Sequence, residues 1–259
     1  MDLGIKGERA LVLGGTQGLT FSAAKFLHQA GVKLAINGRD AERGRAAVAA
    51  LPGAAFAVGD VADPTQSVVI HERAVKALGG PVSILVTNAG GPPPGQFLDH
   101  DEAAWMKAIE TNMLSALRLA RHVLPEMIAA RWGRIVNVTS FTVREPYPNL
   151  VLSNGVRLGL TGAMSTIARE VADKGVTVNN VLPGLMDTGA LRRVYKAQSL
   201  RQNISADDAK RRMADSVPAK RLGEADDFGP VVAFLCSRHA AYITAQNVTV
   251  DGGLVRAAL

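Results

Sequence analysis

Cysteine is nearly missing from this chain. Cys236 is the one example in 259 residues, so no disulfide can form within the chain, and the composition suits a reducing cytosol. Long apolar runs are missing too: no window approaches the roughly 18 uninterrupted apolar residues of a membrane span. The opening MDLGIKGERALVLGG carries charges within its first ten residues and has no apolar core of signal-peptide length. Aromatic residues make up only 5% of the chain, and Tyr195 alone interrupts its most basic stretch. The interleaved stacking platforms of a nucleic-acid surface are therefore lacking. From these absences we expect a cytoplasmic protein with no membrane and no nucleic-acid partner, and we expect no metal centre.

What the chain does have is a composition that builds a core. Apolar residues account for 47% of it, which argues against disorder. No repeat, low-complexity tract or composition break marks a linker, so the expectation is one domain over 1–259.

Its net charge of +6 is concentrated. Between Arg192 and Arg221 stand nine basic residues (Arg192, Arg193, Lys196, Arg201, Lys210, Arg211, Arg212, Lys220, Arg221) against Asp207, Asp208 and Asp215, an excess equal to that of the whole chain. The plain reading is a solvated helical surface. The functional reading is a surface that attracts an anionic substrate or partner.

Short apolar runs alternate with amphipathic stretches. Strands are expected at 8–15, 32–38, 54–60, 82–91, 133–140, 176–184 and 246–253, and helices at 19–31, 40–51, 64–80, 152–174 and 224–237. A long helical region separates the fourth and fifth strands, and the basic segment reads as helical. Apolar strands alternating with helices of this length indicate an α/β fold: a Rossmann-like doubly wound sheet, mostly or wholly parallel, with helices on both faces.

In such a sheet ligands bind beyond the carboxyl ends of the strands, where the strand order reverses. The first of those loops is GGTQGL, Gly14 to Leu19, a glycine turn opening a helix and suited to a pyrophosphate. Tight turns use glycine for many reasons, so this turn alone is weak evidence. The loop after the second strand, NGRD, places Gly38 and Arg39 where an NAD site usually has a carboxylate for the adenosine ribose. Arginine there suits a ribose 2′-phosphate, which favours NADP(H) over NAD(H).

Taken in order, the motifs resemble those of the short-chain dehydrogenase/reductase family of the common type over essentially the full chain. Gly14-Gly15-Thr16-Gln17-Gly18, followed by Leu19, resembles the family's nucleotide turn, and Asp60-Val61 its adenine contact. Asn88-Ala89-Gly90-Gly91 matches its Asn-Ala-Gly motif, and Asn112 falls at its structural and catalytic asparagine. Ser140 stands where its substrate-orienting serine does, and Pro183-Gly184 with Thr188 resembles the stretch bordering the nicotinamide. Val250-Asp251-Gly252-Gly253 is also typical. The resemblance implies a cofactor half over about 1–140 and an active-site and substrate-covering half over about 141–259.

The resemblance also makes a demand the sequence does not meet. Thirteen residues after the serine the family usually has a tyrosine, and four later a lysine; here these are Ser153 and Arg157. Reducing a carbonyl with hydride leaves an alkoxide that needs a proton. A tyrosine, whose phenol ordinarily titrates near about 10, supplies it once a lysine cation lowers that value. Serine is a far poorer acid, and arginine supplies fixed charge and ribose hydrogen bonds but no proton relay at neutral pH. Two further departures lie in the nucleotide turn: Thr20 replaces its last glycine and Leu13 the threonine before it. A β-branched residue at 20 is expected to loosen or reposition the pyrophosphate.

Substitute acids are a water held by Asn112, Ser140 and Ser153, or the phenol of Tyr147 in the loop REPYPN. Glu145, His100 and Tyr195 are weaker candidates, and the plain reading of Tyr147 is a pocket wall. Two classes of function compete. One is an NADP(H)-dependent oxidoreductase of a carbonyl or secondary alcohol, resembling 3-oxoacyl carrier-protein reductases, with an acyl thioester as substrate. The other is a non-catalytic dinucleotide-binding protein acting as a sensor or hetero-oligomer subunit. A purely structural role follows only if Thr20 abolishes nucleotide binding. The apolar helices at 103–130 and 152–173, which the family pairs between subunits, imply a homodimer or homotetramer.

Overall fold

A computed structural model describes residues 1–257, apart from the side chains of Ala197, Gln198 and Arg201. The strands β1 (Arg9–Val12), β2 (Lys33–Gly38), β3 (Ala55–Val58), β4 (Ile84–Thr87), β5 (Gly133–Val138), β6 (Val176–Pro183) and β7 (Asn247–Val250) form one sheet. Its order is β3-β2-β1-β4-β5-β6-β7, with every neighbouring pair parallel. Both faces are covered, which is why the runs read as continuously apolar: every residue of β4 and β5 is buried.

Alternate residues of each strand feed two separate cores, because successive side chains leave a strand on opposite faces. Ala10, Val12, Ile36, Val86 and Val136 pack on one face with Phe228, under helices α1 (Gly18–Gln29) and α9 (Ala225–Leu235). Leu11, Leu13, Ala35, Leu85 and Ile135 pack on the other. That face is covered by α3 (Gln66–Leu78), α5 (Ser115–Ala129) and α6 (Val151–Val171). The remaining helices are α2 (Ala41–Ala49), α4 (Glu102–Ile109), α7 (Gly189–Gln202) and α8 (Ala206–Ser216).

The long helical region before β5 is broken by a π turn at Glu110–Leu114 between α4 and α5. The basic segment is likewise two helices, because Asn203 takes a left-handed conformation (φ 51°) that ends α7. No helix among the described residues is long and apolar enough to cross a membrane. None of the described His, Cys, Asp and Glu residues gather into groups of three or more able to hold a metal.

The strand order reverses between β1 and β4. In a sheet of this order the loops leaving those two strands, with their neighbours after β5 and β6, are the ones that border the ligand cleft.

Candidate active site

The nucleotide turn begins at Gly14 and ends at Gly18, both in the left-handed region (φ 59° and 64°) where a side chain would be strained. A Cβ on Gly14 would lie 3.2 Å from Asn88 Nδ2, and one on Gly38 would sit 2.7 Å from a Thr16 methyl. Gln17 precedes α1 without a side-chain capping bond, so the first amides of the helix remain available to an anion. The loop after β6 closes over this turn, since a Cβ on Gly18 would lie 3.9 Å from the Thr188 methyl.

At the far end of the cleft, Arg39 leaves β2 with 80% of its side chain exposed, 3.7 Å from Asp60. Asp40, its neighbour, is engaged in capping α2 through Glu42 and Arg43, so no free carboxylate stands at the strand end. Val61 follows Asp60 half-buried. Asn37 is buried and bonds the carbonyls of Ala57 and Gly59, tying β2 to the loop after β3.

Thr20 is fully buried. Its hydroxyl donates to the Gly14 carbonyl at 2.7 Å and accepts from Asn88 Nδ2 at 3.3 Å. Instead of standing in the cleft, its side chain is absorbed into the turn. Leu13 is buried in the core on the other face of the sheet, which explains why it offers the turn nothing.

The end of β4 runs through Asn88, Ala89 and Gly90 to Gly91. The carbonyl of Gly90 accepts from Asn112 Nδ2 at 2.8 Å, and Asn112 Oδ1 is buried with no partner among the described residues. Asn112 sits in the π turn, so the wide turn is what turns this amide toward the cleft.

Ser140 follows β5 and is half-buried. Its Oγ accepts from the Thr142 amide at 3.2 Å and the Thr142 hydroxyl at 3.1 Å. One helical turn separates Ser153 from Arg157 on α6, and the Arg157 guanidinium donates through Nε to Ser153 Oγ at 3.2 Å. Its Nη1 donates to the Val138 and Thr139 carbonyls at 3.2 and 2.9 Å, and a Cβ on Gly91 would lie 3.9 Å from Nη2. Arg157 is buried, and no carboxylate among the described residues pairs with it. Burial alone pushes its pKa down to about 10, so it remains a cation at neutral pH.

The hydrogen-bond pattern decides what the two serines can do. A hydroxyl has one proton to give. Ser140 and Ser153 both accept on their oxygen from neighbouring donors, so each keeps its own proton for a ligand oxygen.

The other acid candidates are placed less favourably. Tyr147 is half exposed, its ring edge-on to Phe141 at 5.8 Å. Glu145 accepts from the Arg256 amide at 3.0 Å and so anchors the C-terminal stretch. His100 packs on Gly95, with Nε2 buried. Tyr195 is buried in α7 beside Arg192 and Lys210.

Those two cations meet a residue that the sequence alone does not single out. Asp187, between Pro183-Gly184 and Thr188, receives Arg192 Nε at 2.9 Å and Lys210 Nζ at 2.8 Å. Burial works to raise its pKa, but these two bonds outweigh it and hold the carboxyl below the usual range. Asp227 similarly takes a bidentate pair from Arg221. The positive excess over 192–221 is thus partly neutralised by acids on either side of that window. Thr142 also escapes a reading of the sequence; nothing in its spacing distinguishes it, since its role depends on the turn after β5.

The glycine turn, the parallel sheet and the cleft at its order reversal define a dinucleotide-binding α/β protein of the Rossmann kind. Over residues 14–255 the sequence matches the family described as Enoyl-(Acyl carrier protein) reductase. It is 33% identical to 3-oxoacyl-[acyl-carrier-protein] reductase FabG of Escherichia coli (strain K12), over 97% of this chain and 99% of that one. The structure superposes on L-sorbose reductase of Gluconobacter frateurii, complexed with NADPH and L-sorbose, with a TM-score of 0.94, 27% identity and coverage of 99% and 100%. An NADPH-bound short chain oxidoreductase of Pseudomonas aeruginosa PAO1, described as containing an atypical catalytic center, gives a TM-score of 0.87 at 32% identity over 98% and 100% of the chains. The chain belongs to the short-chain dehydrogenase/reductase family of oxidoreductases.

Proposed function

We propose that this protein is an NADP(H)-dependent oxidoreductase of a carbonyl or secondary alcohol, with a 3-oxoacyl thioester as the substrate class. The observation that carries this reading is the arrangement of Ser140, Ser153 and Arg157: two hydroxyl protons left free for a ligand oxygen, with a buried cation behind one of them. When bound, the cofactor supplies or accepts hydride at its nicotinamide. Ser140 and Ser153 hold the substrate oxygen, and Arg157 stabilises the negative charge that develops there. Neither serine is acidic enough to protonate an alkoxide unaided, so a water held by Asn112 Oδ1 and the serines delivers the proton, with Tyr147 as the alternative donor.

The residues present fit the cofactor. Gly14, Thr16, Gln17, Gly18 and Leu19 hold the pyrophosphate, Arg39 the 2′-phosphate, and Asp60 and Val61 the adenine. Asn88, Ala89 and Gly90 line the nicotinamide side, Pro183, Gly184 and Thr188 close it, and Arg157 reaches the ribose hydroxyls. The uncapped α1 amides and the exposed Arg39 support this reading. NADPH-bound relatives and the FabG similarity agree with it. The 3-oxoacyl carrier adds an anionic group, and the basic faces of α7 and α8 suit it even after the pairing of Arg192 and Lys210.

An apolar groove between α5 and α6, lined by Leu117, Leu124, Pro125, Ile128 and Ile167, is the face we assign to a homodimer or homotetramer. The protein functions as one domain over 1–259, in the cytoplasm.

A second reading has one observation in its favour. Arg157 is clamped by two carbonyls, which suits a fixed binding cation as well as a catalytic one. A fluorescence titration with NADPH and NADH, followed from Trp105 and Trp132, tests the first step of both readings. Turnover of 3-oxoacyl thioesters by the NADPH-loaded protein then separates them: binding with no oxidation of NADPH by any carbonyl substrate leaves the sensor or subunit reading. Absence of NADPH binding removes both.

A further inference from the structure

The residue expected to disturb the nucleotide turn is the one that holds it. In the peptide joining Gly14 to Gly15, the carbonyl oxygen accepts from Thr20 Oγ1 at 2.7 Å and the amide donates to the Asn37 carbonyl at 3.1 Å. A peptide unit is a rigid plane, so pinning both ends fixes its orientation. The next strand joins the same network, because Asn88 Nδ2 donates to the hydroxyl that holds Gly14. Thr20 therefore connects three elements: the turn, the first turn of α1 and the end of β4. It is fully buried, so its hydroxyl has no water to exchange these partners for.

We propose that Thr20 is a positioning residue for the dinucleotide: its hydroxyl preorganises the Gly14–Gly18 turn and couples it to Asn88. The inference rests on the cofactor reading above, but the tie itself is a property of the protein without ligand. Glycine at position 20 leaves the Gly14 carbonyl and the Asn88 amide without this partner and adds backbone freedom to the first turn of α1. A preorganised site gains affinity because less ordering remains to be done on binding. The substitution that restores the family's glycine should accordingly weaken cofactor binding.

The test compares Thr20→Val, which keeps the shape and removes the hydroxyl, with Thr20→Ser, which keeps the hydroxyl, and Thr20→Gly. Two readouts are taken: the NADPH dissociation constant, and amide hydrogen exchange of residues 14–18 in the protein without cofactor. Thr20→Val and Thr20→Gly are expected to raise the dissociation constant about tenfold, the effect of one or two lost buried hydrogen bonds, and to speed exchange in the turn. Thr20→Ser should stay within about threefold of the parent on both counts. A merely structural threonine would lower the melting temperature without separating Val from Ser in the turn. Should Thr20→Val not fold, Thr20→Ala carries the same comparison. Parent-like affinity and exchange in the hydroxyl-free variants, or tighter binding by Thr20→Gly, would overturn the proposal. If the parent binds no NADPH, the cofactor reading fails by itself, and the exchange arm still decides whether Thr20 holds the turn.

Discussion

Arg157 donates through Nε to Ser153 Oγ one turn away on α6, at 3.2 Å. Counted from Ser140, the pair is expected to stand where the family usually has its tyrosine and lysine, which would keep the cation while losing the acid. Binding and orientation of a carbonyl need a cation and hydrogen-bond donors, all of which are present. Proton delivery needs a group that ionises near the working pH, and Arg157, with a pKa of about 10 after burial, stays charged.

Restoring the acid should therefore restore what the site lacks. The double variant Ser153→Tyr/Arg157→Lys is expected to raise kcat for a 3-oxoacyl thioester by about 100-fold, the lower end of what a positioned general acid contributes. Its dissociation constant for NADPH should change little, since lysine keeps the charge. Stopped-flow oxidation of NADPH gives both values, and an unchanged kcat would show that proton delivery does not limit the parent.

Arg39 tests the choice of cofactor. The side chain is 80% exposed and its ion pair to Asp60, at 3.7 Å, is loose, so it is free to meet a phosphate. Arg39→Ala should raise the NADPH dissociation constant by about 10- to 100-fold, as expected for losing a charge-assisted bond, and alter that for NADH by less than about threefold. Equal losses for both cofactors would remove Arg39 as the phosphate reader.

The sheet was legible in the sequence because its strands are buried on both faces and read as apolar runs. The turn that local spacing marks after β1 has Gly14 and Gly18 in the left-handed conformation, which glycine adopts without strain. Features made by distant partners were not legible. Asn112 on the π turn bonds to Gly90, 22 residues away, and Asp187 pairs with Lys210, 23 residues on. Thr20 belongs with these. Its β-branch is visible in the sequence, but the carbonyl and amide that meet its hydroxyl are visible only in the fold.

Asp187 links the loop after β6 to α7 through Arg192 and to α8 through Lys210. Both cations are largely exposed, so solvent screens each pair and neither alone holds the fold. Asp187→Asn should leave the fold intact while loosening the two covering helices. Tryptic cleavage within residues 189–216 is expected to accelerate roughly tenfold, equivalent to ~1.4 kcal/mol of local opening. Digestion followed by mass spectrometry reads this, and an unchanged cleavage rate would show that the helices are held by their apolar contacts alone.

Away from the cleft, the His71 ring of α3 stacks on His122 of α5 with centroids 5.5 Å apart. His71 is half-buried, and its pKa is lowered by burial and then by His122, against opposing attraction from Glu72 and Glu126. A histidine whose folded pKa lies below its unfolded value binds protons more readily unfolded. Stability is therefore complete above the unfolded value of about 6.5 and falls as pH drops from there through the folded one. His71→Gln removes this term, so its stability should decline less than that of the parent between pH 7.5 and 5.5. The difference should stay under about 1 kcal/mol because the ring is partly screened by solvent. Urea unfolding at the two pH values measures it. A variant losing as much stability as the parent would place the acid sensitivity elsewhere, since the stacked pair is the contact that His71→Gln removes.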